Sequence, residues 1–347
     1  MISIMKPKII IVTPDRSFFR DPHVSAFEAL GYECATFSSR NGFVYHPWFR
    51  RLSRKISFLG SLKKFKVNLI NKGLLDLVKR YKPQYVFVQK GETISPATIN
   101  SIKGLRVVTV NFYNDFEWSV ISKIAPHYDY FFTQHQEILN RLWRELNLKN
   151  CFYMAHAAEP LRNPFINREN KYPVSFVGTY NPKIYPNREK YLLTIKDIGL
   201  NVWGNDDWVN TSLRECFHGR SHGDERFDIY RQSKIVIDIN WEHVQSDGIS
   251  VRPFEVTASG ACLFADLVKQ DIKSVYEEGK EFVSFSSGEE LRKRVKYYLE
   301  HEREREEIAR AGYNRTITEH TYAHRMKQLF DTMEHPDKYL YKNAFHK

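Results

Sequence analysis

The chain has 347 residues, a length that accommodates two domains of ordinary size. Its 42% hydrophobic, 27% charged and 14% aromatic composition excludes disorder and collagen, and four scattered cysteines (Cys34, Cys151, Cys216, Cys262) with no CxxC pair exclude a zinc knuckle and a secreted disulfide framework. A formal charge of +11 calls for an anionic partner: nucleic acid, an acidic lipid surface or a phosphorylated small molecule.

The first apolar run, Ile9 to Val12, is too short for the core of a signal peptide, and no run of about 18 apolar residues follows. The expectation is a cytoplasmic protein, soluble or at the inner face of the membrane. Short β-branched and aromatic runs then alternate with longer amphipathic stretches, the pattern of parallel strands joined by helices. Strands are predicted near Lys8 to Thr13, Tyr32 to Phe37, Gln84 to Gln89, Arg106 to Phe112, Tyr128 to Thr133 and Cys151 to Met154. Between the first two and the third, residues 48–82 carry eleven basic side chains against one acid, Asp76, interleaved with Phe49, Phe58, Phe65 and Leu69. Such a segment reads either as a contact for an anionic membrane surface or as a solvated helix face. Nothing resembling an RNP motif, zinc finger or helix-turn-helix accompanies it, so nucleic acid is not expected as a partner.

Pro160, Pro164 and Pro173 punctuate residues 156–173, which read as the crossing between a first domain (1–155) and a second (174–333), with a tail at 334–347. The last helix, ending near Met333, could pack back on the first domain. Alternation restarts with strands Val174 to Gly178, Asn201 to Trp203, Lys234 to Asp238, Ala261 to Ala265 and Glu281 to Phe285. Helices are expected at Tyr185 to Ile198, Arg226 to Gln232 and Val251 to Ser259. Ser287 and Glu290 have capping-box spacing for a helix starting near Glu289, and Gly312 and Thr318 to Tyr322 read as later breaks.

No GxGxxG and no GxxxxGK[ST] is present, which removes most support from dinucleotide and P-loop readings. The loop Gly178, Thr179, Tyr180 with Lys183 and Arg188 beyond it is a weak phosphate signal, because a glycine admits close approach and a cation can follow. A stronger pattern is Asp247, Gly248, Ile249, Ser250, Val251, Arg252, Pro253, Phe254, Glu255. Ser250 is a good N-cap and Pro253 fits a first turn, so a helix should start after Ser250 with its free amides and Arg252 facing a diphosphate. Glu255, an acceptor-only carboxylate, is placed to hold vicinal hydroxyls or else to pair with Arg252 on an exposed face.

SFVGTY (175–180), IVIDIN (235–240), RPFEVTASGAC (252–262) and YYLEHEREREEIARAGYNRTITEHTY (297–322), in this order and spacing, resemble the CgeB-like glycosyltransferases, relatives of the group 1 transferases. The likeness is clear over residues 172–330 and looser over YVFVQKGETISP (85–96) and the pair Asn114, Asp115. It implies a GT-B fold: an α/β chain of two Rossmann-like domains facing across a cleft, with C-terminal helices. The second domain would hold a nucleoside-diphosphate-sugar, with UDP-sugar the default, and the first a glycan, lipid-linked or protein acceptor of the cell envelope. The same likeness implies that Glu255 meets the donor ribose, that Arg252 with Gly248 to Ser250 meets the diphosphate, and that Gly178 and Thr179 flank the phosphates. Asp247 stands where the group 1 pattern has a first glutamate, one methylene longer, and His218, Gly219 and Arg220 fall near the place of the base pocket. No DxD occurs, Asp206 and Asp207 read as a turn, and no bound cofactor or metal is expected. An inverting reaction would need a general base, for which Asp115, Glu92 and His156 are the candidates; a retaining one would not. The rival reading is a noncatalytic glycan- or nucleotide-binding protein on the same fold.

Overall fold

The computed structural model describes residues 6–14, 17–40, 57–221, 223–240, 248–267 and 270–343. The chain divides into two compact units, Met1–Ala155 with Arg325–Lys347, and His156–His324. The first is built on β1 (Lys8–Thr13), α1 (Ser17–Ala29), β2 (Glu33–Ser38), α2 (Ser57–Tyr81), β3 (Tyr85–Gln89), α3 (Pro96–Gly104), β4 (Val108–Tyr113), α4 (Trp118–Ile124), β5 (Tyr130–Thr133), α5 (Gln136–Leu146) and β6 (Cys151–Tyr153). Its six strands are all parallel, in the order β2-β1-β3-β4-β5-β6. Ile9 to Val12 and Val86 to Val88 are buried on both faces, which is why they read as unbroken apolar runs rather than as alternation.

The second unit contains β7 (Tyr172–Val177), α6 (Asn187–Leu193), β8 (Leu200–Trp203), α7 (Glu225–Arg231), β9 (Ser233–Asp238), α8 (Arg252–Ala258), β10 (Cys262–Asp266), β11 (Val283–Phe285), α9 (Gly288–Glu300) and α10 (Glu302–Glu319). Its five parallel strands run β11-β10-β9-β7-β8. Strand order reverses between β7 and β9 here, and between β1 and β3 in the first sheet. In open parallel sheets such reversals leave a crevice at the strand carboxyl ends where ligands collect.

Both sheets match the expected strands to within one or two residues, the usual uncertainty of element ends. Four details differ. The helix expected at Tyr185 to Ile198 is shorter, α6 followed by a 3₁₀ turn at Lys196–Ile198. Gly312 does not break α10: a Cβ there would stand 2.6 Å from the carbonyl oxygen of Glu281, so the glycine admits a neighbouring backbone while the helix runs through. Residues 334–347, read as a tail, contain the helix α12 (Pro336–Asn343). The helix α11 (Tyr322–Glu334) runs across the division at residue 324. Its later part packs within the first unit, where Phe330 stacks on Tyr32 at 4.8 Å and Arg325 donates to the Ala155 carbonyl at 3.1 Å. The expected cap at Ser287 is present, with Oγ accepting from the Glu290 amide at 3.2 Å, while the Glu290 carboxylate turns to the amide and hydroxyl of Ser286.

Candidate functional site

The polar groups of the second unit gather where its strand order reverses. β7 ends at Val177, and Gly178 continues the ladder, its amide donating to the Trp203 carbonyl while its own carbonyl accepts from Trp208 Nε1 at 2.8 Å. A Cβ at Gly178 would come within 2.7 Å of the Phe176 ring and 3.1 Å of Arg252 Nη2. The glycine is therefore demanded by the close seat of Arg252 over the Phe176 ring, 5.5 Å to its centroid. Thr179 is exposed, with its carbonyl held by Arg188 Nη1 at 2.7 Å.

Arg188 bridges the reversal. From α6 its guanidinium reaches the carbonyl of Thr179 after β7 and, through Nε and Nη2, that of Ile239 after β9, at 3.2 and 3.0 Å. It is 3% exposed, lies 3.2 Å from the Tyr185 ring centroid, and donates to no carboxylate among the described residues. Burial, with Arg252 beside it, pushes its pKa down to about 9. Two guanidinium groups thus stand together at strand ends where carbonyls and one carboxylate balance them incompletely. The carboxylate is Asp238, which ends β9, is fully buried and holds Arg252 in a close ion pair. Next to it Asp266 ends β10; burial, with Asp238 near, raises its pKa to about 7. Asn240 ties the two strand ends, its amide nitrogen donating to Asp266 Oδ2 at 2.9 Å and its side chain to Asp266 Oδ1 at 3.1 Å and Asp238 Oδ2 at 3.2 Å.

The helix α8 begins at Arg252, not directly after Ser250. Val251 occupies the cap position in helical conformation, and the Ser250 hydroxyl is buried without a hydrogen-bond partner among the described residues rather than capping the turn. Glu255, 6% exposed, pairs neither with Arg252 nor on an exposed face. Arg226 of α7 grips it with two bonds, Nη2 to Oε1 at 2.8 Å and Nε to Oε2 at 3.1 Å. Each carboxylate oxygen has lone pairs to spare for further donors. Gly248 and Ile249 lie just before this turn, Ile249 buried, and Asp247 falls outside the described residues.

His218, Gly219 and Arg220 belong to the edge of the sheet beside β8. His218 stacks on Trp203 at 4.7 Å and meets Asn201 Oδ1 at 2.8 Å, Gly219 turns the chain at φ +100°, and Arg220 pairs with Asp206 in solvent. In the first unit Glu92 is held by Arg40 at 3.1 Å and Asp115 by Lys90. His156 is buried at the start of the second unit. Sequence reasoning missed Asp238, Asp266, Asn240 and Arg226; the one signal available for the first was an acidic residue closing the otherwise apolar run of β9. Among the described residues no group of three His, Cys, Asp or Glu is arranged to hold a metal, and no helix is long and apolar enough to cross a membrane.

Residues 188–331 match a family described as glycosyl transferase-like. No curated protein matches the chain by sequence. Among solved structures the chain is similar to sucrose-phosphate synthase from Thermosynechococcus elongatus, with a TM-score of 0.64 at 11% identity over 94% of this chain and 99% of that one. It is also similar to Anabaena Alr3699/HepE in complex with UDP and glucose, with a TM-score of 0.61 at 8% identity over 94% and 99%. A third is a UDP-N-acetylglucosamine 2-epimerase from Listeria monocytogenes, described as putative, at 0.59 and 11% identity over 96% and 97%. At such identities the likeness is one of fold: two Rossmann-like α/β domains of the GT-B type.

Proposed function

We propose that the chain is a glycosyltransferase that takes a sugar from a nucleoside diphosphate, UDP-sugar by default, and that its second unit binds the donor. The observation that carries this reading is Arg188, a buried guanidinium without a carboxylate partner among the described residues, set beside Arg252 at the reversal of strand order. A diphosphate supplies the negative charge that this pair lacks. Charge accumulates on the departing diphosphate as the glycosidic bond breaks, so fixed guanidinium groups stabilise the transition state more than the ground state. They serve where other enzymes use a divalent ion, and the proposal includes independence from one.

Glu255 accepts the ribose hydroxyls with the lone pairs that Arg226 leaves. Thr179 flanks the phosphates, and the ring stack of His218 on Trp203 borders the base. The acceptor is a glycan, lipid-linked or protein acceptor of the cell envelope, with Asp115, Glu92 and His156 as candidates for a base if configuration inverts. The fold also serves an epimerase of nucleotide sugars, so fold alone does not choose transfer; the glycosyl transferase-like match over residues 188–331 favours it.

The test is thermal shift of the wild type and Arg188→Lys with UDP, GDP, CDP, ADP and dTDP, with and without EDTA. A nucleotide at a hundred times its dissociation constant adds about 2.7 kcal/mol. One nucleotide should stabilise the wild type irrespective of EDTA, and Arg188→Lys, which keeps the charge and loses the fork, should reduce that gain. If none stabilises the wild type at saturating concentration, the reading fails.

A further inference from the structure

The carboxyl edge of the first sheet holds buried polar atoms with no hydrogen-bond partner among the described residues. Gln89 ends β3, beside the reversal of strand order; Tyr113 ends β4 and Asn114 follows it; Gln134 follows β5. They belong to three neighbouring strands, with Gln89 opposite Phe112 and Tyr113 opposite Thr133. Gln89 is 1% exposed, Tyr113 0%, Asn114 6% and Gln134 6%. Among the described residues, Oε1 of Gln89 and Gln134, Oδ1 of Asn114 and the hydroxyl of Tyr113 have no hydrogen-bond partner. The orientation of Gln134 is fixed, because its Nε2 donates to the Asn114 carbonyl at 2.7 Å, so the oxygen is the unmet atom. Burial and the nearby acids Glu92, Glu117 and Asp115 push the Tyr113 phenol up, so it stays a protonated donor.

An unmet buried amide or hydroxyl costs about 1–3 kcal/mol, and folded proteins tolerate few. Four at the ends of three adjacent strands mark a place where something else supplies the bonds. Its chemistry follows from what is already satisfied. The cations of these loops are engaged, Arg40 by Glu92 at 3.1 Å and Lys90 by Asp115. What is left at the ends of these three strands is neutral, three amide oxygens that need donors and one hydroxyl that gives or accepts; the unmet atom on a charged group nearby is Nε of Arg40, whose charge Glu92 balances. Phosphate and carboxylate ligands offer acceptors where these oxygens need donors.

We infer that the carboxyl ends of β3, β4 and β5 bind a neutral saccharide, whose hydroxyls donate to Gln89, Asn114 and Gln134 and accept from Tyr113. That this saccharide is the acceptor of the transfer rests on the function proposed above; its binding does not. The engaged acids Glu92 and Asp115 then border the sugar hydroxyls, and the strong basicity of the chain plays no part in reading them.

The experiment is saturation-transfer NMR of the full chain with glucose, galactose and N-acetylglucosamine, with and without UDP, using glucuronate and inorganic phosphate as competitors. At least one neutral sugar should take up saturation, and neither anion should displace it. Gln89→Met and Gln134→Met, which keep shape and remove the amide, should each weaken the sugar by about tenfold, the worth of one hydrogen bond. They should leave the thermal shift with UDP unchanged, and Gln89→Met should be as stable as the wild type or more so, whereas Gln134→Met also gives up the bond to the Asn114 carbonyl and loses some stability for that reason. Three outcomes overturn the inference: no neutral sugar is saturated, the variants bind as the wild type does, or Gln89→Met loses stability as it would if its amide held only structural water. Sugar binding without any shift by UDP would sink the transferase reading and leave this site standing; a shift by UDP without sugar binding would do the reverse.

Discussion

Glu255 and Arg226 are a buried pair, with side chains 8% and 14% exposed, and a substitution at either acts on the fold before it acts on a ligand. Glu255→Ala leaves the guanidinium without its carboxylate, a change that costs about 3–5 kcal/mol in comparable settings. Urea unfolding should therefore place Glu255→Ala far below the wild type. Glu255→Gln, which keeps an oxygen for Arg226, should lose less stability yet still lose much of the nucleotide gain. A Gln variant as unstable as Ala would mean that charge alone holds this pair. The sequence made Glu255 visible as a functional acid but offered the wrong ion-pair partner, because the only pairing signal it holds is local: Arg252 lies three residues away on the same helix. The true partner lies 29 residues back in α7, and Arg252 itself is claimed by Asp238, 14 residues back. Distances of that kind are set by how strands and helices stack, which no spacing along the chain encodes.

Strand ends bring the carboxyls of Asp238 and Asp266 together, since β9 and β10 are neighbours with Asp238 opposite Ala265. The folded chain keeps a proton on Asp266 up to about pH 7, whereas an unfolded carboxyl gives it up near about pH 4. Between those limits the unfolded state binds fewer protons than the folded one, so the contribution of Asp266 to stability falls as pH rises. Asp266→Asn cannot ionise, and its melting temperature relative to wild type should climb from about pH 5 to about pH 8. A constant difference across that range would contradict the assignment. A second element-level constraint is Gly204, where a Cβ would stand 2.1 Å from the Gly178 carbonyl oxygen. Gly204→Ala should lower stability by about 1–3 kcal/mol, as overpacking does, and blunt any nucleotide stabilisation with it. The strands themselves were legible because parallel strands buried on both faces leave dense apolar runs. Gly312 was misread for an equally physical reason: a glycine that ends a helix and one that admits a neighbouring backbone look alike in a sequence.

At the scale of the molecule, the first unit is assembled from both ends of the chain. Phe330 of α11 stacks on Tyr32, and its edge contacts with Phe27 and Tyr85 lie at 6.1 and 5.4 Å. Phe330→Ala should cost about 2 kcal/mol, below the loss for a fully buried phenylalanine because the ring keeps some exposure. The same unit carries α2, whose described part presents Phe65 at 58% and Leu69 at 51% exposure among Lys64, Lys72, Lys79 and Arg80, while residues 48–56 of the basic stretch lie outside the described residues. If this face meets anionic lipid, the wild type should sediment with phosphatidylserine vesicles and less so at high salt, and the double substitution Phe65→Ser, Leu69→Ser should not sediment. Equal sedimentation of both proteins would leave α2 as a solvated face.

The return of Arg325–Lys347 to the first unit also sets an order of events during synthesis. When Ala155 leaves the ribosome the first sheet has all six strands but lacks the aromatic ring of Phe330 and the clamp of Arg325 on the Ala155 carbonyl. Those arrive only after residues 156–324 have been made, roughly ten to thirty seconds later at about 5–20 residues per second. The second unit, contiguous in the chain, is complete before the first can close, so the nascent protein holds an unfinished sheet face in the interval.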